Sequence, residues 1–386
     1  MTSDFSIVSE AVIDAAQNQR QVRIVGGGCH SSIGFSGAKN PQYIDIKEFN
    51  ELNFYSPAEL VLSAQAGAKL SELSSMLAEK QQRFSCSFRN LSGIFGDYST
   101  DATLGGAIAV NLSGSDRVNR YAIRDAVLGM KVINAEGALI SMGGRVFKNV
   151  TGYDLSKLMI GSLGTLGVIA SVNMRLRPLA ECESSLLIDA VDVSQAVELM
   201  AKCLNSPFDL CGAYAKQHKG FYRVFLRLEG FQASVQERLQ GVKSLLKGHD
   251  LEVVEGQDSS EEWLKINNLS DFSFSVSSED IWLFSQPASQ AAKTVHALRG
   301  LSPEARIVLD WGGAQVWCAS ADGLCARDIR QACQGLDVTL RPIRVPAERA
   351  KDALVLDSGS RGVINRLYQE FDPQNIFQRQ RLYGDF

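Results

Sequence analysis

Up to about residue 180, short β-branched runs alternate with glycine-rich turns. The runs are VRIVGGG at 22–28, LVLSAQAG at 60–67, LGGAIAV at 104–110, VLGMKVI at 127–133 and LGVIASVNMRL at 166–176. Short apolar stretches bounded by glycine and polar residues predict strands. Two stretches follow helical spacing instead: Phe5, Val8, Val12 and Ala15 over 5–19, and Leu70, Leu73 and Leu77 over 70–80. A polar segment follows Pro178, and the texture changes there. VSQAVELMAKCL (193–204) and ASVQERLQGVKSLLKG (233–248) predict helices. GFYRVFLRLEG (220–230) and ARIVLDWGGAQVWCAS (305–320) predict strands. The chain ends with a helix, SRGVINRLYQEF, and an irregular tail. Helices mixed with antiparallel strands make the class α+β. The texture divides the chain into 1–179, 180–340 and 341–386.

Bulk composition narrows the function classes. At 386 residues the chain is long enough for two domains. Hydrophobic content of 45% and charged content of 21% are those of a folded soluble protein. The net charge is −4, and lysine and arginine are scattered, so no nucleic-acid partner is expected. The N-terminus lacks the basic and apolar regions of a signal peptide. No run of about 18 apolar residues is present, so no transmembrane segment is expected and a cytoplasmic location is. The eight cysteines, at 29, 86, 182, 203, 211, 318, 325 and 333, form no C-x-x-C pair. They predict core thiols rather than an iron–sulfur cluster. With four dispersed histidines (His30, His218, His249 and His296), no metal site is expected.

Three glycine-bearing motifs carry the candidate chemistry. Residues 23–34, RIVGGGCHSSIG, run from a strand into three consecutive glycines. Glycine permits positive φ and lets backbone amides converge on an anion. A diphosphate cradle and a plain turn both fit, whereas a Walker A loop does not, because no Gly-Lys-Ser/Thr follows. Residues 101–114, DATLGGAIAVNLSG, place paired glycines in an apolar stretch. This predicts either a strand that a flat group approaches closely or a bulge. Residues 147–155, FKNVTGYDL, precede GSLGTLGVI at 161–169.

In this order the motifs read R-x-x-GGG-x-H-S-x-x-G, T-L-GG with A-x-N, R-D-x-V-L-G, K-N-V-x-GYDL and GS-x-GTLGVI. The order resembles the vanillyl-alcohol oxidase and p-cresol methylhydroxylase (PCMH-type) superfamily of FAD enzymes over about residues 20–180. Within it, VFKNVTGYD at 146–154 and the glycines at 161–167 look like the glycolate oxidase group. DWGGAQxW at 310–317 and FDPxxIF…RLY at 371–383 resemble the FAD-binding second subunits of bacterial glycolate oxidase (glycolate dehydrogenase) complexes.

The resemblance implies a two-part FAD-binding domain over 1–179, an α+β cap over 180–340, and a tail over 341–386 packing back on the FAD domain. It implies FAD as cofactor, with Val25, Gly26, Gly27, Gly28, Cys29, His30, Ser31 and Gly34 forming the pyrophosphate loop. Asp101, Thr103, Leu104, Gly105, Ala109, Asn111, Ser113 and Gly114 would line the flavin. Gly164, Thr165, Gly167, Val168 and Ile169 would hold the adenine side. The implied function is that of an FAD-binding subunit of a 2-hydroxy acid (glycolate) dehydrogenase. Its implied partners are a catalytic flavin subunit and an iron–sulfur subunit, with any membrane association made through that complex.

Catalytic flavin subunits of this group carry an H-A-G-D-G-N-x-H signature that this chain lacks. Leu163 also stands where catalytic relatives commonly have Glu. A self-contained D-2-hydroxy acid dehydrogenase and a non-redox scaffold are therefore the alternatives, and no catalytic residue is assigned. His30 occupies a position where some relatives attach FAD covalently, although noncovalent FAD is expected for this group. Lys148 reads as a solvated cation that would otherwise meet a phosphate or carboxylate. Arg124 and Asp125 read as an ion pair pinning a turn, and Asp154 after Tyr153 as a helix cap. Trp311 and Trp317 read as cap core. Arg341 and Arg344 are candidates to reach the flavin from the tail.

Overall fold

A computed structural model describes residues 5–30, 32–35, 37–95, 101–144, 154–273, 279–354 and 356–384. Among the described residues of the N-terminal part lie eight strands: β1 (Val22–Val25), β2 (Gln42–Asp45), β3 (Leu52–Ser56), β4 (Val61–Gln65), β5 (Gln82–Phe84), β6 (Val127–Ile133), β7 (Leu139–Gly143) and β8 (Val168–Pro178). β1 and β2 pair in parallel as a small separate sheet, with Val22 opposite Gln42. The others form an antiparallel sheet ordered β3-β4-β8-β6-β7, with β5 joining β8. The helix Ser6–Gln17 buries Val8, Val12 and Ala15, and Leu70–Glu79 buries Leu70, Leu73 and Leu77. These are the residues expected from their spacing.

The C-terminal part holds β9 (Cys182–Ala190), β10 (Gly212–His218), β11 (Phe221–Gly230), β12 (Leu251–Glu255), β13 (Asp280–Ser285), β14 (Arg306–Asp310), β15 (Gln315–Ser320) and β16 (Thr339–Arg344). They make one eight-stranded antiparallel sheet ordered β12-β9-β11-β10-β14-β15-β13-β16. Side chains of a strand alternate between the two faces of its sheet. Leu186, Ile188, Trp282, Phe284, Ile307 and Leu309 pack under the helices Val193–Leu204, Gln232–Leu245 and Ala291–Leu301. Leu187, Tyr214, Ile281, Leu283, Val308 and Trp317 face the other way, into a cluster with Ile33, Leu91, Val110 and Leu163 of the N-terminal part. Both faces are therefore covered, which explains why these strands read as continuous apolar runs.

Helix Ser358–Phe371 and the segment after it return to the first core, where Tyr368, Ile376 and Phe377 are buried. Among the described residues, no helix is long and apolar enough to cross a membrane.

Three expectations are corrected. LGGAIAV is not a strand but the helix Leu104–Val110. Thr103 caps it by accepting the Gly106 amide, and Asn111 ends it in the left-handed region at φ 55°. The single strand expected over 305–320 is the β14–β15 hairpin. Asp310 accepts the Trp311 amide at 2.8 Å, and Gly312 and Gly313 take positive φ to turn the chain. Arg124 and Asp125 form no ion pair. The Asp125 carboxylate instead accepts the Ala122 amide at 3.3 Å, closing the start of helix Ile123–Ala126.

Candidate functional site

β1 delivers the chain to the glycine loop, and the loop rests on residues 101–103. A Cβ at Gly27 would lie 1.9 Å from the Asp101 carbonyl oxygen, and one at Gly26 would lie 2.5 Å from Thr103 Oγ1. Gly27 is needed for this close backbone approach, and Gly26 makes room for the Thr103 side chain. Gly28 differs: its φ is +85°, and a Cβ there would meet nothing within 4 Å. Its open side faces a recess of about 100 Å³.

Val25, Gly26, Gly27, Gly28, Cys29, His30, Thr103 and Ala109 all line that recess. They are joined by Arg23, Ile24, Ala102, Gly106, Val110, Leu163 and Arg381. Loop, helix and C-terminal segment thus meet around one space, with open glycine backbone and two guanidinium groups at its edge. This donor set fits a bound anion such as a diphosphate.

The remaining described candidates do not line the recess. Leu104 and Gly105 are buried, and the Gly105 amide donates to the Ala66 carbonyl at 2.8 Å. Asp101 accepts the Ser71 hydroxyl. The side chain of Asn111 lies beside Gly161. Ser113 accepts the Ile123 amide at 3.1 Å, and the Gly114 carbonyl accepts Trp311 Nε1–H at 2.9 Å. Gly34 packs against the Arg381 carbonyl rather than lining the recess.

Gly164 lies behind Ile24, and Thr165 shares a 2.8 Å hydroxyl contact with Tyr368. Gly167 stands against the Ile133 carbonyl, while Val168 and Ile169 are buried in β8. Ser31, Lys148 and Tyr153 lie outside the described residues. Asp154 accepts the Ser156 hydroxyl at the foot of helix Ser156–Met159 and pairs with Lys157 at 3.6 Å.

His30 is turned inward. Its Nε2 lies 3.1 Å from the Arg89 carbonyl, so that nitrogen carries the proton and donates. Burial pushes its pKa down to about 4, with the nearby Arg341 charge acting in the same direction against the hydrogen bond. The ring is neutral at pH 7. Arg341 projects from β16 on the face toward the N-terminal part and donates to the Val110 carbonyl at 2.8 Å, and burial lowers its pKa to about 10.

Arg89 ties several elements together. Its guanidinium pairs with Asp310 of β14, both side chains being 0% exposed, and it also donates to the carbonyls of Ser113 and Asn267. Arg89 further lies over the Trp317 ring at 5.4 Å, and Trp317 is buried. Arg344 donates to the carbonyls of Glu279 and Ile94 instead of lining the recess.

Arg23 had a signal in the sequence, as a lone cation in the strand entering the glycines. Arg381 stood in the RLY that closes the FDPxxIF…RLY motif, whereas Arg89 had no signal, since it reaches the site from a position without a local motif.

A family model described as "FAD binding domain" matches residues 6–143. The glycolate oxidase subunit GlcE of Escherichia coli (strain K12) is 27% identical over 352 residues, covering 89% of this chain and 88% of that protein. The glycolate oxidase subunit GlcD of Bacillus subtilis (strain 168) is 38% identical over 101 residues, which are 26% of this chain and 21% of GlcD. Among solved structures, p-cresol methylhydroxylase with substrate bound superimposes with a TM-score of 0.76 at 12% identity, covering 100% of this chain and 88% of that one. Residues 6–143 are thus an FAD binding domain, and the chain as a whole shares the fold of p-cresol methylhydroxylase.

Proposed function

We propose that this chain is the FAD-binding subunit of a multi-subunit 2-hydroxy acid dehydrogenase of the glycolate oxidase type. It works beside a catalytic flavin subunit and passes electrons to an iron–sulfur partner. The observation that carries this reading is a likeness to a glycolate oxidase subunit that spans 89% of the chain, together with its open glycine recess. In this assignment Val25, Gly26, Gly27, Gly28, Cys29, His30, Thr103 and Ala109 bound the FAD diphosphate and the adjoining ring. Asp101, Leu104, Gly105, Asn111, Ser113 and Gly114 support that surface, and Gly164, Thr165, Gly167, Val168 and Ile169 back the adenine side. Bound FAD supplies hydride and electron acceptance. The protein residues orient it and exclude water.

One observation favours a second reading, a self-contained D-2-hydroxy acid dehydrogenase. Arg341 sets a buried cation beside His30, where a guanidinium would orient a substrate carboxylate.

The test is the visible spectrum of the purified chain before and after acid precipitation, followed by dye reduction with glycolate and D-lactate. The expected result is flavin released into the supernatant, no turnover by the chain alone, and turnover once the partner subunits are added. Robust turnover alone would replace the subunit reading with the second one. Colour retained in the pellet would make His30 a covalent anchor. A colourless chain that takes up no FAD would refute both readings and leave a scaffold.

A further inference from the structure

We propose that Arg381, on the C-terminal segment, and Arg23, on β1, form a cationic clamp on the FAD diphosphate, making residues 375–384 a strap that holds the cofactor. The clamp rests on the FAD reading above and names the groups that would carry its charge recognition.

The strap is anchored independently of any ligand. The buried Asp372 carboxylate accepts the amides of Ile376 and Phe377 at 2.9 and 2.8 Å, turning the chain after helix Ser358–Phe371. The Ile376 carbonyl then accepts the Val22 amide at 2.8 Å, and Gln378 Nε2 donates to the Val22 carbonyl at 2.7 Å. The Gln378 Oε1 accepts the Ala38 amide at 3.1 Å, and the Arg381 carbonyl accepts the Phe35 amide at 2.8 Å. These bonds sew the tail along the two flanks of the glycine loop. A side chain at Gly34 would break the seam, since its Cβ would lie 2.6 Å from the Arg381 carbonyl oxygen.

Arg381 is thereby aimed at the recess. Its guanidinium donates to the carbonyls of Leu163 at 3.3 Å and Ile33 at 3.2 Å, which fix its plane at the rim. Arg23 lines the same recess from β1. Burial first, and then the Arg23 charge, bring the Arg381 pKa down to about 10. Two cations share a partly enclosed space, and an anion between them relieves their repulsion. A planar guanidinium presents two donors to phosphate oxygens, and the glycine loop beside it offers unobstructed backbone. The chemistry they recognise is the diphosphate, not the ring or the adenine.

The test uses the apo form of the full chain and titration calorimetry against FAD, ADP and adenosine, for wild type, R23Q, R381Q and R381K. R381Q is expected to weaken both FAD and ADP roughly 10- to 100-fold, the worth of charge-assisted hydrogen bonds, and to leave adenosine unchanged. R381K should recover part of the loss, and R381Q should flatten the salt dependence of ADP binding. In wild type, FAD should slow tryptic cleavage after Arg379, and circular dichroism checks that each variant folds. Wild-type ADP affinity in R381Q would overturn the clamp, as would an equal loss of ADP and adenosine. Those outcomes leave the FAD reading intact, because wild type still binds FAD. Failure of wild type to bind FAD would overturn both.

Discussion

His30 is held neutral by burial against the Arg89 carbonyl, and this gives the fold a pH dependence of definite sign. Its pKa of about 4 lies below the ordinary 6.5 that the unfolded chain would show. Between those values the unfolded state binds more protons, so stability rises with pH. The stabilisation is complete above about pH 6.5, is lost as pH falls toward 4, and does not change further below that. Its size is about 3 kcal/mol, at about 1.4 kcal/mol per pH unit. Urea unfolding at several pH values between 4 and 7 should show this slope in wild type and a shallower one in H30Q. Equal slopes in the two proteins would mean that the ring is not the group being titrated. The same neutrality leaves His30 positioned by donation from Nε2, consistent with a wall residue of the proposed flavin site.

Among elements, the amphipathic helices were legible because one apolar stripe fixes both their type and their buried face. The glycine pair at 105–106 was not. An apolar run of seven residues fits strand or helix equally, and the deciding event is a cap in which the Thr103 side chain accepts the Gly106 amide. The glycine loop was readable as a motif, but the physical use of each glycine was not. Gly26 and Gly27 serve close packing on 101–103, whereas a Cβ at Gly28 would meet nothing within 4 Å. Arg89 could not be found from sequence, because it lies outside any strand and its partner Asp310 is 221 residues away on the C-terminal sheet. The pair links the loop region to β14. Removing one charge from a fully buried pair costs about 3–5 kcal/mol, while replacing both with apolar groups costs far less. R89M and D310L are each expected to be strongly destabilised, and R89M/D310L less so than the sum of the two. Additive losses in a double-mutant cycle measured by urea unfolding would show that the two charges are not coupled.

Across the whole molecule the two sheets are joined by the shared apolar cluster and by a buried charge cluster at its margin. Glu229 of β11 meets Arg177 at 2.6 Å, Arg120 at 3.1 Å and Arg83 at 3.3 Å, all three from the N-terminal part. Asp116 also pairs with Arg83 and Arg177, at 3.5 and 3.6 Å. Burial alone would raise the Glu229 pKa, but the surrounding arginines hold it well below the carboxylate range. This carboxylate is thus the C-terminal part's main counter-charge to three cations it does not own. E229Q leaves those guanidiniums under-compensated, at an expected cost of about 3–5 kcal/mol. The location of the probes makes the consequence separable. All four tryptophans (Trp263, Trp282, Trp311 and Trp317) belong to the C-terminal part, whereas the proposed flavin contacts belong to the N-terminal part and to the tail packed on its core. In wild type, loss of tryptophan burial and release of flavin should follow one transition as urea rises. In E229Q the midpoint should fall and the two signals should part, because the joint fails before either half does. An E229Q protein with wild-type midpoint and coincident signals would show that the apolar cluster alone holds the halves together.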